Sequence, residues 1–408
     1  MKVMRKMKKF IKLSTIMFSL LTLSGCINNI GPKDDKPKVA PDQVAIDTTN
    51  NQLSNQFYRS VILDGKYKLG ASASEDAQLS SSGNTKAFED GLMRISKSIF
   101  PQDQYYLQEG QLIDKETLTS WLSRESEKNP EGLNPAITEE KQPLTEETTI
   151  IPTENPESTE QTQENGQVVV DAQATPIYIS EISEKNIMVE TKEGFALNGI
   201  VIGLAMNSQY SYTDENGVVH TQDISMGELR ERGKQYANII VGRLRNTEEL
   251  RSVPIAVGIF RNAPNVDIIG GTFVLDGISR EGNSVADWTE HNEYRVILPI
   301  VDQNLQSEQY AFFDNFRNRV IDFFPNLNGV SAEAFYVNDQ LESLNVSIIS
   351  QFYSNTEITA LAQHVTDVAL KELPETAQIE IRIDSVEGIE AYIGKEKGSD
   401  KYESHVFY

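Results

Sequence analysis

The chain has 408 residues, one cysteine, 60 acidic and 37 basic side chains, and a formal net charge of −23. One cysteine excludes an intramolecular disulfide and any cysteine-cluster zinc site, and the acidity argues against nucleic acid, whose phosphates call for a basic stripe. With 39 % hydrophobic residues the chain can build real cores, and its length suggests two or three domains.

Lys2, Arg5, Lys6, Lys8, Lys9 and Lys12 form a basic head, followed at 13–23 by an apolar run of about eleven residues. That run suits the core of a signal peptide and is too short for a spanning helix. It closes on Leu23-Ser24-Gly25-Cys26, which resembles the lipobox of bacterial lipoproteins, where the cysteine receives diacylglycerol and becomes the new N-terminus. Residues 1–25 are therefore expected to be a signal peptide and Cys26 the lipidation site. Cleavage removes six positive charges and leaves about −29. An acidic body on a lipid anchor is expected, one that does not lie flat on an anionic membrane. No later segment reaches 18 uninterrupted apolar residues, so the lipid is expected to be the only membrane attachment.

Residues 26–52 are polar and proline-bearing, as befits a tether that lifts the folded part off the bilayer. From 53 onward the chain repeats itself. Phe88, Leu92, Ile95 and Ile99 fall at helical spacing after the apolar run 61–63. Phe312, Phe316, Val320 and Phe323 do so after 296–298. Aromatic strands follow, at 105–107 and 335–337. Apolar strands come next, at 200–206 and 346–349, then helical patterns at 226–246 and 356–372. Alternating strands close each copy: Ile255, Val257, Ile259 and Ile379, Ile381, Ile383. The expected fold is α+β, a tandem duplication of a β-α-β-β-α-β unit, ferredoxin-like or a related roll. Mixed or antiparallel sheets would carry helices on one face. The first repeat spans 53–262 and contains an acidic, disordered insertion at about 136–174. A connecting hairpin takes 263–290, the second repeat 291–393, and a tail 394–408.

Chemistry is sparse. His220, His291, His364 and His405 are scattered, and no HExxH, GxSxG, Walker loop, GxGxxG or SxxK pattern occurs. No enzyme activity, metal or cofactor is expected. The most suggestive polar cluster runs from Arg124 to Pro135, where turn dipeptides follow Trp121-Leu122. Its Asn129 and Asn134 are candidates to rim a binding surface with Tyr105, Tyr106 and Gln108. Tyr210 and Tyr212, close to Asn207, are a second aromatic candidate, for sugar or peptide.

Four stretches carry a family likeness: Phe88-Glu89-Asp90-Gly91-Leu92-Met93-Arg94, Tyr105-Tyr106-Leu107-Gln108-Glu109-Gly110, Asn129-Pro130-Glu131-Gly132-Leu133-Asn134-Pro135 and Gly203-Leu204-Ala205-Met206-Asn207-Ser208. With them the chain resembles the CamS family of sex-pheromone lipoproteins of Firmicutes, from about Tyr58 to Ile393. The acidic insertion departs from that pattern. The resemblance implies that the named activity resides in the discarded segment. Signal peptidase II cuts before the lipidated cysteine, and a membrane protease trims the released peptide to a hydrophobic hepta- or octapeptide. Here that candidate is Phe18-Ser19-Leu20-Leu21-Thr22-Leu23-Ser24-Gly25, similar in kind to enterococcal pheromones that trigger plasmid transfer. The mature body would stay at the outer face of the cytoplasmic membrane in an unassigned envelope role. The alternative is a peptide- or glycan-binding surface module with no pheromone activity.

Overall fold

The computed structural model describes residues 46–49, 53–54, 56–71, 82–137, 141–143, 162–164, 167–169, 175–214, 216–264, 269–301, 308–324, 327, 329–351 and 354–407. The signal-peptide and lipobox residues, including Cys26, lie outside them. The described residues form a mixed α+β fold. In chain order, the first part holds β1 (Ile46–Thr48), β2 (Arg59–Leu63), α1 (Ser82–Ile99), β3 (Tyr106–Glu109) and α2 (Lys115–Leu122). Three short strands follow, β4 (Lys141–Pro143), β5 (Thr162–Glu164) and β6 (Gln167–Val169). Then come β7 (Ile179–Thr191), β8 (Gly194–Met206), β9 (Gln209–Thr213), β10 (Val219–Asp223), α3 (Met226–Arg245), β11 (Ile255–Arg261), β12 (Thr272–Ser279) and β13 (Ala286–Glu290). The second part holds β14 (Glu293–Leu298), α4 (Ala311–Phe323), β15 (Gly329–Val337), β16 (Gln340–Ile349), α5 (Asn355–Glu372), β17 (Gln378–Ser385), β18 (Gly388–Lys395) and β19 (Glu403–Val406).

Two main sheets result. The first has the order β1-β2-β3-β7-β8-β11-β12-β13 and the second β14-β15-β16-β17-β18-β19. From β3 to β13 the neighbours run antiparallel, antiparallel, parallel, antiparallel, antiparallel. The second sheet shows the same succession. Ferredoxin-like wiring interleaves the strands of its two halves; here the strands lie in chain order, so that wiring is absent.

The order also shifts the expected correspondence. α4 joins the antiparallel pair β14/β15, as α2 joins β3 and β7, whereas α1 joins the parallel pair β2/β3. The helix that matches α4 in position is thus α2, although α1 carries the matching apolar pattern. α1 also overturns the expectation of helices on one face. On β8, Ile200, Ile202, Leu204 and Met206 pack with α2 and α3, while Val201 and Ala205 pack with Phe88, Leu92 and Ile95 of α1. Burial on both faces explains why β8 and β11 are almost continuously apolar. In the second sheet α4 and α5 share one core through Phe313, Phe316, Leu361 and Val365. Its opposite face presents the registered row Ser331, Ser347, Arg382, Tyr392 and His405.

Three boundaries change. β12 and β13, expected to be a connecting hairpin, are the last strands of the first sheet. The expected tail carries β19, paired with β18. Beyond Ile137, the described part of the acidic insertion is three three-residue strands in one small sheet.

Candidate functional site

Two clefts open on the first sheet. One, of about 480 Å³, lies where β3 begins, between Arg59, the turn 102–105, Tyr106, Val189 and Glu190. Tyr106 is buried, its ring edge-on to Phe195 at 4.8 Å. The Arg59 guanidinium lies over that ring at 4.3 Å and also donates to the Tyr106 hydroxyl. The hydroxyl in turn donates to Glu190 Oε2 at 3.0 Å. Burial and then the Glu190 contact push the Tyr106 pKa up, so the phenol stays protonated. Tyr105 packs edge-on to Phe100 at 5.5 Å. The cleft therefore offers one ordered cation against two carboxylates, Asp103 and Glu190, with Gln102 and Gln104 between them.

The second cleft, of about 690 Å³, runs along α2 and its exit loop, lined by Lys115, Glu116, Thr119, Ser120, Ser123, Arg124, Ser126 and Asn129. Asp114 caps α2 by accepting from Thr117 N at 2.7 Å, a bond that holds its carboxyl below the usual range. The loop closes because Gly132 lets its ends touch: a Cβ there would meet the Arg124 carbonyl carbon at 2.4 Å. Arg124 donates to Pro135 O at 3.0 Å, Thr175 O at 2.6 Å and the Tyr210 hydroxyl at 3.2 Å. Beyond it, Tyr210, Tyr212 and His220 stack in series at 6.1 and 5.2 Å.

The expected binding residues do not share one surface. Tyr105 and Tyr106 line the first cleft, and Asn129 the second. Gln108 is buried on β3. Asn134 is fully buried: it donates to Leu122 O and Ile179 O and accepts from the Tyr178 and Ile179 amides, which uses its whole capacity. Asn207 donates to Ile177 O at 2.9 Å and accepts from Asn262 at 3.2 Å. Asn129 itself bonds Ser120 O and Arg124 O. Asn129 ties its loop to α2, while Asn134 and Asn207 tie theirs to the backbone at the start of β7.

Charges buried on β7 form a further cluster that no sequence pattern signalled. Lys185 Nζ meets Glu89 at 2.8 Å and Glu109 at 2.9 Å, and Ser183 donates to Glu89 at 3.0 Å. Burial opposes the Lys185 charge, but the two carboxylates outweigh it and raise its pKa. Burial, with Glu89 nearby and Lys185 opposing, pushes Glu181 up to about 7. On the other face of the strand, Glu184 accepts from the amides of Gln111, Leu112 and Ile113. The polar run from Ser183 to Asn186 has the composition of a solvated segment; only the partners on α1 and β3 make it interior. The histidines stay apart: His291 bonds Asp276 at 2.5 Å, His220 bonds Asp214 at 2.9 Å, His364 stacks on Phe323 and His405 meets Phe407 edge-on. Among the described residues no three potential metal ligands converge.

Comparison with known proteins places this geometry. A family model described as CamS sex pheromone cAM373 precursor matches residues 67–401. The chain is similar to the crystal structure of a sex pheromone precursor from Lactobacillus salivarius subsp. salivarius UCC118. Identity is 31 %, over 89 % of this chain and 99 % of that one, with a TM-score of 0.75. It is also similar to the C-terminal domain of the sex pheromone staph-cAM373 precursor of Staphylococcus aureus. There the identity is 27 %, over 81 % and 98 % of the two chains, with a TM-score of 0.62. No curated protein matches.

Proposed function

The chain belongs to the CamS family of sex pheromone precursors, and from that membership we propose that it is a membrane-anchored lipoprotein whose signal sequence is the source of a pheromone peptide. The observation that carries this reading is the lipobox-like Leu23-Ser24-Gly25-Cys26 at the end of a basic, then apolar, leader, ahead of a body that matches the family over 67–401. Signal peptidase II cuts before the lipidated Cys26 and releases a peptide ending at Gly25. Trimming by a membrane protease leaves the uncharged octapeptide Phe18–Gly25. The folded body stays at the outer face of the cytoplasmic membrane. Among the described residues no helix is long and apolar enough to cross it. The pairing succession that β3 to β13 share with the second sheet supports descent of the body from one duplicated unit.

Mass spectrometry of culture supernatant tests the release: a discrete hepta- or octapeptide ending at Gly25 or Ser24 is expected, and a ladder of fragments would overturn dedicated trimming. Cys26→Ala is expected to abolish fatty-acid labelling and leave the body unanchored; retained labelling would refute the anchor. The two clefts favour a second reading, in which the body binds peptide or glycan. A ligand-dependent rise in the thermal midpoint, lost in Arg59→Ala or Arg124→Ala, is its expected signature.

A further inference from the structure

We propose that the tip Asp64–Leu69 is a second, weaker membrane contact: Tyr67 and Leu69 enter the bilayer interface while Lys66 and Lys68 meet anionic headgroups. The proposal rests on the reading that Cys26 carries the lipid.

Four observations converge on this tip. β1 pairs antiparallel with β2, and Ile46 stands opposite Leu63. The chain from Cys26 therefore enters the fold beside the tip. However those 20 residues are arranged, they span at most about 70 Å. Leu63 and Lys66 exchange backbone hydrogen bonds at 3.0 and 2.9 Å around Asp64 and Gly65, whose φ values of 50° and 68° are those of a tight hairpin turn. The turn is thus fixed by its backbone, and Gln111 Nε2 donates to Leu69 O at 3.1 Å. Its side chains are the wrong ones for water alone: Tyr67 is 55 % and Leu69 61 % exposed, between two exposed lysines. Tyr67 is held by its hydroxyl, which donates to Glu109 at 3.0 Å.

Alternating lysine with an aromatic and an aliphatic residue is the composition that settles at a membrane interface, ring and alkyl groups inward and ammonium groups at the headgroups. The net charge of about −29 that remains from Cys26 onward opposes a broad contact. Salt screens charges beyond roughly 10 Å, however, so a small tip feels mainly its own residues. On the tip itself Lys66 and Lys68 outnumber Asp64; beside it Glu109 and Glu89 share the single cation Lys185. Each lysine near an anionic surface changes local association about five-fold. The body touches at one corner and does not lie flat.

The test uses the chain from Cys26 onward, which retains the whole compact unit Ala45–Tyr408. It is coupled through the Cys26 thiol to a maleimide lipid in phosphatidylglycerol vesicles with brominated acyl chains. Leu69→Trp is expected to be quenched. Val386→Trp, at a turn where the residue is 94 % exposed, is the control and is expected to remain unquenched. Adding Lys66→Glu and Lys68→Glu should bring the Leu69→Trp signal down to the Val386→Trp level, with near-ultraviolet circular dichroism confirming the fold. Quenching of Leu69→Trp no greater than that of the control would overturn the contact. Chemical coupling separates the two claims: an unacylated Cys26 in cells would refute the anchor, and missing quenching would refute the tip whatever cells do to Cys26.

Discussion

Glu181 is a carboxyl whose environment works against its charge. Buried on β7 and facing Glu89, with Lys185 already committed to two other carboxylates, it titrates near 7 where an ordinary glutamate titrates near 4.5. Below about pH 4.5 the group is protonated in both folded and unfolded chains and has no effect on stability. As pH rises towards 7 the unfolded chain releases the proton while the folded chain keeps it, so stability falls across that window. The loss amounts to about 3 kcal/mol. Glu181→Gln removes it. The variant is expected to match the parent near pH 4 in urea unfolding and to exceed it at pH 8 by up to that amount. Equal stability at pH 8 would place Glu181 in water. Neither the burial nor the partners of this residue were legible in the sequence, because a charged residue is on average a surface residue.

At the scale of elements, glycines in helices separate propensity from packing. Gly91 sits in α1 where a Cβ would meet the Phe273 ring at 2.5 Å, whereas at Gly242 in α3 the nearest atom is Asn283 Cβ at 4.0 Å. Replacing either by alanine gains about 1 kcal/mol of helix propensity. Overpacking at Gly91 costs roughly 1–3 kcal/mol, since Phe273 is itself wedged between Phe88 at 5.8 Å and Phe260 at 5.2 Å. Gly91→Ala is therefore expected to lower, and Gly242→Ala to raise, the thermal midpoint; a rise in both would mean that the ring moves freely. The same packing explains where sequence periodicity went astray. α1 and α4 share an apolar stripe that opens on Phe, but α1 uses it on a face that the second sheet leaves open. A stripe reports that a helix is covered, and not by which face of which sheet.

For the molecule as a whole, the two sheets have separate apolar cores among the described residues, and polar contacts join them. Arg94 of α1 pairs with Glu293 of β14 at 2.5 Å, and Glu293 has only 1 % of its side chain exposed. Arg94 and Arg295 also lie over the Phe335 ring, at 5.7 and 4.4 Å. Removing the cation strands a buried carboxylate, which costs about 3–5 kcal/mol. Both tryptophans belong to the first sheet's core, so fluorescence follows that sheet while far-ultraviolet dichroism follows both. In Arg94→Met the two urea curves are expected to separate; coincident curves would show that the sheets are coupled by something other than this pair.

Family, α+β class and most helix and strand positions follow from the sequence, because each depends on local spacing or on a short motif. Strand order, the placing of α1 between a core and a polar joint, the use of three asparagines as internal ties and the burial of Lys185 with its carboxylates were decided only in three dimensions. Those features depend on contacts such as Lys185 with Glu89 and Arg94 with Glu293, between groups far apart along the chain. One-dimensional periodicity states that a face is apolar or polar. Only the packed structure states what that face meets.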